Sequence, residues 1–164
     1  MTQQIPHPKL EKGVLLPAFT LPGADGMPHG PWDYKQRDHL LLLFARNTTT
    51  SDGRGLLRVF ASRYAEFRAE SCAILGITAD TVIANLQAQD GLHLPFPLLA
   101  DPTGSVIQRY TAWDAAANTL TPSMVLADRY NAVYQQWTAD NEADLPQIEE
   151  LLETLQYMNN LCSL

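Results

Sequence analysis

The order of apolar and polar positions along the chain predicts an α/β protein. Residues 40–45 and 72–77 are two short apolar runs bounded by polar residues, as in strands buried at the centre of a sheet. Between them, apolar side chains recur at helical spacing at Leu56, Leu57, Phe60, Tyr64 and Phe67. The order strand, helix, strand predicts two parallel strands joined by a right-handed crossover.

The second half of the chain continues this pattern. Asp80 or Thr81 is placed to cap a short helix, and residues 95–99 form a brief extended segment. Residues 123–127 and 132–137 are two strand patterns around Asn131, a residue type that tolerates left-handed backbone, so we expect a hairpin. An apolar stripe from residue 145 to 161 predicts a closing helix with Asp144 as its N-cap.

Proline and glycine are frequent in the first 38 residues. They predict an extended N-terminal leader with tight turns and a short hairpin around residues 24–26. No repeat or low-complexity segment follows, and 164 residues is an ordinary length for one domain. We therefore expect a single α/β domain over residues 1–164.

Composition narrows the classes of partner. The chain has 11 Lys and Arg against 18 Asp and Glu, a net charge of −7, and no basic run. This acidic composition argues against nucleic acids and anionic membranes as partners, because both bind basic surfaces. The longest apolar run is far shorter than the roughly 20 residues that span a bilayer. The first seven residues lack the pattern of a signal peptide, so we expect a cytoplasmic protein.

The residues that could bind a metal or form a local disulfide are far apart in the sequence. Cys72 and Cys162 are far apart, and in a reducing cytosol both are expected to be free thiols. The sequence predicts neither a metal site nor a cofactor, because its histidines are scattered along the chain at His7, His29, His39 and His93.

Four segments in the right order resemble one family. They are the Gly-x-x-x-Pro-x-Phe-Thr-Leu run that starts at Gly13, residues 77–80, the Phe-Pro-Leu-Leu-Ala-Asp-Pro-Thr-Gly run at 96–104, and residues 122–128. Each is similar to a segment of the peroxiredoxins, the alkyl hydroperoxide reductase/thiol-specific antioxidant family. The resemblance implies a thioredoxin-like fold of the peroxiredoxin type, with a mixed central β-sheet flanked by helices. It also implies antioxidant, thiol-dependent oxidoreductase descent and a homodimer.

The segment after the first long strand departs from the family pattern. Aligned on Phe44, the two active-site cysteine positions are occupied by Thr50 and Gly53, whereas Arg46 and Arg54 are retained. Peroxidase chemistry needs a thiolate at that helix N-terminus, where the dipole lowers its pKa. The sequence therefore predicts loss of thiol-peroxidase activity and a role in binding or interaction, with an unidentified protein or small-molecule partner.

Two alternatives remain open. One is an active oxidoreductase that uses Cys72, expected to be a buried strand residue, or Cys162, expected to be a thiol in the C-terminal tail. The other is a small-anion site at the helix N-terminus. A later strand begins at Pro122, where many peroxiredoxins have an arginine and where the resemblance implies a cis-proline. The binding candidates are Arg46, Thr49, Thr50, Ser51, Arg54 and Pro122.

Overall fold

A five-stranded mixed sheet lies at the centre of the protein. The computed structural model describes residues 4–5 and 10–162, with side chains over 10–161. The strands are β1 Gln4–Ile5, β2 Leu21–Pro22, β3 Pro28–His29, β4 His39–Phe44, β5 Cys72–Thr78, β6 Leu98–Ala100, β7 Trp113–Asp114, β8 Thr119–Leu120, β9 Ser123–Ala127 and β10 Val133–Thr138. The helices are α1 Ser51–Ser62, α2 Tyr64–Ala69, α3 Val82–Leu92 and α4 Ile148–Cys162.

The sheet has the order β10-β9-β4-β5-β6. β4, β5 and β6 are parallel, as the predicted crossovers require, and β9 and β10 are antiparallel additions beside β4. The register pairs Leu41 with Ile74 on one side of β4 and with Leu126 on the other. The predicted mixed α/β sheet flanked by helices is therefore confirmed.

Alternating side chains of β4 enter two different apolar layers. Leu41 and Leu43 point toward the four α-helices, whereas Leu40 and Leu42 point to the opposite face. That second face is covered by the N-terminal leader and by residues 106–120. Because both faces are covered, β4 is fully buried along its whole length, which explains its uninterrupted apolar sequence.

The leader packs onto the sheet. β2 and β3 pair as the predicted hairpin, and Leu16, Phe19 and Leu21 are buried in the second layer. Residues 1–3 and 6–9, which include His7, lie outside the described residues. The predicted hairpin at Asn131 is also present, with Asn131 in left-handed backbone at φ 64°.

Two helix predictions were wrong in detail. The apolar pattern from Leu56 to Phe67 forms two helices, with a break at Arg63. The last helix begins at Ile148 rather than after Asp144, because residues 142–144 form a 3₁₀ turn and Leu145 is extended and buried. Pro146, next in the chain, restricts the backbone before the helix starts. No helix within the described residues is long and apolar enough to cross a membrane.

Candidate active site

The segment between β4 and α1 lies where the carboxyl ends of the parallel strands meet. In sheets of this kind, ligands bind outside that edge. Residues 45–50 leave β4 there, and residues 79–81 leave the neighbouring β5 at the same edge. The structure therefore brings the two segments together, although 32 positions separate Thr48 from Asp80.

Asp80 anchors the loop from the neighbouring strand. Its Oδ2 accepts a hydrogen bond from the backbone N–H of Thr48 at 2.9 Å and another from the Thr48 hydroxyl at 2.9 Å. Thr48 is buried, so both donors need this acceptor. Thr81 provides the N-cap of α3 instead, with its hydroxyl accepting from Ala84 N–H. Of the two predicted caps, only Thr81 is therefore correct.

Two further side chains close the loop onto itself. The Asn47 side-chain oxygen accepts from the backbone N–H groups of Thr49 and Thr50, at 3.1 and 2.9 Å. Thr50 is the N-cap of α1, and its hydroxyl oxygen accepts from Gly53 N–H at 3.3 Å. Four amides that an anion would need, those of residues 48, 49, 50 and 53, already have acceptors within the protein.

Gly53 is buried against the loop, and its environment excludes a side chain. A Cβ built on Gly53 would lie 2.2 Å from the backbone oxygen of Asn47 and 3.3 Å from the Thr50 hydroxyl oxygen. Real Cβ atoms essentially never approach a backbone atom to less than 3.0 Å. The first turn of α1 is therefore compatible with glycine only, unless the Asn47 peptide moves.

The two retained arginines bind the protein itself. The Arg46 guanidinium donates to the backbone oxygen of Asp140, and its backbone N–H donates to Glu142 Oε1 at 3.1 Å. The Arg54 guanidinium donates to the backbone oxygen of Thr48 at 3.2 Å. Three hydroxyl residues at the start of α1 are exposed: Thr49, Thr50 and Ser51. Together with the two arginines, they lie at the edge of the sheet where β4 ends, as predicted.

Glu142 is the residue at this edge that sequence reasoning missed. It is 3% exposed, yet it lies in the segment before α4, far from the loop in the sequence. No periodicity or motif predicts that pairing. Asp80 was predicted as a helix cap and as part of the family-like segment 77–80, and not as an anchor of the loop, although its place directly after a parallel strand put it at the same edge.

Pro122 lies beside the loop but not in the predicted conformation. The register pairs Phe44 with Ser123, which places Pro122 opposite Ala45. No peptide bond among the described residues is cis, so the predicted cis-proline was wrong. The trans form is the usual state of X–Pro bonds, and the Pro122 carbonyl accepts from Ala139 N–H at 3.1 Å.

Cys72 is placed far from the loop. Cys72 is the first residue of β5, at the opposite end of the sheet, and it is fully buried as predicted. Burial raises the pKa of its thiol well above the ordinary value. Cys162 ends α4, and its side chain lies outside the described residues. Within the described residues, no group of three or more His, Cys, Asp or Glu could hold a metal ion.

Comparison with known proteins decides the family. The model of the AhpC/TSA family matches residues 13–136, which is more than half of the chain. The chain belongs to the AhpC/TSA family. The match begins before β2, ends within β10 and includes the loop before α1.

Individual peroxiredoxins are similar over shorter stretches. The chain is 26% identical to a peroxiredoxin of Hyperthermus butylicus over 106 residues, 59% of this chain and 46% of that protein. It is 31% identical over 107 residues to a Mycobacterium tuberculosis protein named as a peroxiredoxin, Rv2521, which is 65% of this chain and 66% of that protein. The matched stretches thus span about half to two thirds of these relatives.

Solved structures confirm the peroxiredoxin-type thioredoxin fold. AhpC of Enterococcus faecalis superposes with a TM-score of 0.83 at 14% identity, covering 94% of this chain and 96% of that chain. A cysteine-to-serine mutant of PrxQ from Xylella fastidiosa superposes with a TM-score of 0.79 at 17% identity, covering 93% and 99%. At these identities the likeness concerns the fold alone.

Proposed function

We propose that this AhpC/TSA-family protein lacks thiol-peroxidase activity and acts by binding. The observation that carries the proposal is the first turn of α1, where Gly53 occupies the position of the family's peroxidatic cysteine by resemblance. A side chain at Gly53 would collide with the Asn47 peptide. The loop is packed in a form that excludes the family's nucleophile.

Peroxide reduction by this family requires a thiol, and the segment between β4 and β5 has none. A thiolate attacks one peroxide oxygen, the O–O bond breaks, the sulfur becomes a sulfenic acid and the other oxygen leaves as water or an alcohol. Residues 44–71 contain no cysteine. The Thr50 hydroxyl is no substitute, because a threonine nucleophile needs an adjacent base and this hydroxyl oxygen already accepts from Gly53 N–H.

The alternative of an unusually placed thiol has little support for Cys72. Its side chain is 0% exposed at the start of β5, so a peroxide has no access to it. Its raised pKa also keeps the thiol protonated, and the protonated form is a poor nucleophile. Cys162 remains the thiol to be tested, as a residue at the C-terminal end of α4.

Peroxide consumption with excess dithiothreitol tests the proposal. We compare the wild type with Cys72→Ser, Cys162→Ser and Gly53→Cys, beside an active peroxiredoxin as the positive control. The expected result is the rate of buffer in all four, including Gly53→Cys, since its side chain lacks room. A rate above buffer in the wild type that disappears in one serine variant would disprove the proposal and name the nucleophile.

A small-anion site at the N-terminus of α1 is the second candidate function, and fewer observations support it. The amides of Ser51 and Asp52 in the first turn of α1 have no acceptor among the described residues. The carboxylate of Asp52 opposes an anion there. A rise in melting temperature with phosphate that disappears in Arg54→Ala would support this site, and no rise would leave the amides to solvent.

We also propose a homodimer, which rests on the family resemblance. A cytoplasmic location and a single domain over residues 1–164 are proposed from the sequence. Light scattering of the purified chain tests the first. A mass of one chain at all concentrations would remove the homodimer from the proposal.

A further inference from the structure

A groove lies along α1 and shares Ser51 and Glu142 with the edge that holds the candidate site. It runs between α1 and the segment that precedes α4, and its volume is about 250 Å³. Ligand pockets for drug-sized molecules are larger, roughly 300–1,000 Å³, so this groove suits a fragment-sized molecule. Its apolar walls are formed by Leu56, Val59, Phe60, Leu145, Pro146 and Ile148.

Gly55 keeps the groove open. It lies within α1, where glycine costs about 1 kcal/mol relative to alanine. A Cβ built on Gly55 would meet nothing within 4 Å, unlike one built on Gly53. Packing within the protein therefore does not explain this glycine, whereas an open groove does.

The charged residues that line the groove are acidic. Two of its lining residues are Glu142, which is 3% exposed, and Asp52, which lies in the first turn of α1. The hydrogen bond from Arg46 N–H uses only Oε1 of Glu142. Within residues 10–161, Oε2 has no hydrogen-bond partner. Oε2 is not among the fully enclosed side-chain atoms, so water or a ligand in the groove can reach it.

No basic side chain supplies a donor to Oε2 from within the groove. The residues that line it include neither lysine, arginine nor histidine. The Arg46 guanidinium is directed to the Asp140 carbonyl, and Arg63, beyond the end of α1, binds Glu66 and Glu149. The net charge of −7 adds a favourable field for a cation.

We propose that this groove binds a small organic amine, with the ammonium group on Glu142 and the apolar body between Leu56, Val59 and Pro146. The ammonium group would donate to the open Oε2 in place of water, and a charge-assisted hydrogen bond is stronger than a neutral one. The inference does not depend on the loss of peroxidase activity, because it rests on the charge and shape of the groove and not on a thiol.

The test compares three ligands that share a phenyl ring and differ in the head group: 2-phenylethylamine, 2-phenylethanol and phenylacetate. Binding is followed by amide chemical shifts in ¹H–¹⁵N spectra of the full chain. The amine is expected to bind with a Kd below about 1 mM, shifting amides of residues 51–60 and 142–148. The alcohol should bind about tenfold more weakly, and the carboxylate should not bind.

Two variants separate the charge from the shape of the groove. Glu142→Gln retains an oxygen for Arg46 N–H but removes the charge, so it should weaken amine binding about tenfold and leave alcohol binding unchanged. Gly55→Leu should abolish binding of both by filling the groove. Gly91→Leu, a substitution at a glycine of α3 that does not line the groove, is the matched control and should bind like the wild type.

The proposal is overturned by any of the following results. They are no saturable binding of the amine, equal binding of the amine and the carboxylate, and amine binding that Gly55→Leu leaves intact. Binding of a lysine-rich peptide without binding of the free amine would also overturn it, since the surface would then serve a protein partner.

Discussion

Asp80 holds Thr48 through two hydrogen bonds to a single carboxylate oxygen. The backbone N–H and the hydroxyl of Thr48 each lie 2.9 Å from Oδ2 of Asp80. Through this pair, the end of β5 sets the position of the loop that leaves β4. The loop then presents the Asn47 carbonyl to Gly53 at a distance that excludes a side chain.

Removing the Asp80 carboxylate should destabilise the protein. Asp80→Ala leaves the two donors of the buried Thr48 without an acceptor, at a cost of about 1–3 kcal/mol. Urea unfolding measures the free energy. The control is Asp90→Ala, at an exposed residue of α3, which should change it by less than about 0.5 kcal/mol. Equal effects of the two substitutions would mean that the Thr48 contact contributes nothing.

The two glycines of α1 should respond to alanine with opposite signs. Gly53→Ala forces a Cβ against the Asn47 carbonyl and should cost about 1–3 kcal/mol. Gly55→Ala meets open space and should stabilise the helix by about 0.5–1 kcal/mol. Thermal unfolding of both variants beside the wild type gives the comparison. A stabilising Gly53→Ala would show that the loop moves easily and that the glycine is not required.

Cys72 should be unreactive in the folded protein. It is fully buried, and burial raises the pKa of its thiol, so few thiolates are present and none is accessible. In a Cys162→Ser variant, iodoacetamide should label Cys72 slowly in buffer and completely in urea, as measured by mass spectrometry. Fast labelling in buffer would mean that β5 opens, and would revive Cys72 as a redox residue.

Tyr34 should make stability depend on alkaline pH. Burial, with smaller contributions from Tyr64 and Asp33, raises the pKa of its phenol from 10.0 to about 12. Because the folded pKa is above the unfolded one, this contribution is complete below pH 10 and is lost as the pH rises toward 12. The wild type should therefore lose more stability across this window than Tyr34→Phe, as measured by urea unfolding. Tyr157→Phe, at an exposed position of α4, is the control and should behave like the wild type.

Local patterns determined the elements of the fold. The run from Leu40 to Ala45 is apolar at every position because both faces of β4 are covered, and this is visible without coordinates. Asn131 marked its hairpin because few other residue types adopt left-handed backbone there. The family resemblance then supplied the topology, since four short motifs in order were sufficient to predict the fold.

The sequence did not predict the helix boundaries that depend on tertiary packing. The break at Arg63 and the late start of α4 at Ile148 arise where segments distant in sequence pack together, and helical periodicity does not register such contacts. The trans peptide before Pro122 is of the same kind, because proline permits either isomer and the surroundings select one.

The sequence by itself determined that no cysteine stands at the start of α1 and that Cys72 belongs to a strand. Only the tertiary structure decided that Gly53 has no room for a side chain and that the amides of residues 48, 49, 50 and 53 already have acceptors. It also decided that Glu142 lies buried beside α1 with one free oxygen. The partners of Glu142 and Thr48 lie tens of residues away in the chain, and contacts at such separations are set by the packing of the sheet and helices, not by neighbours in the sequence.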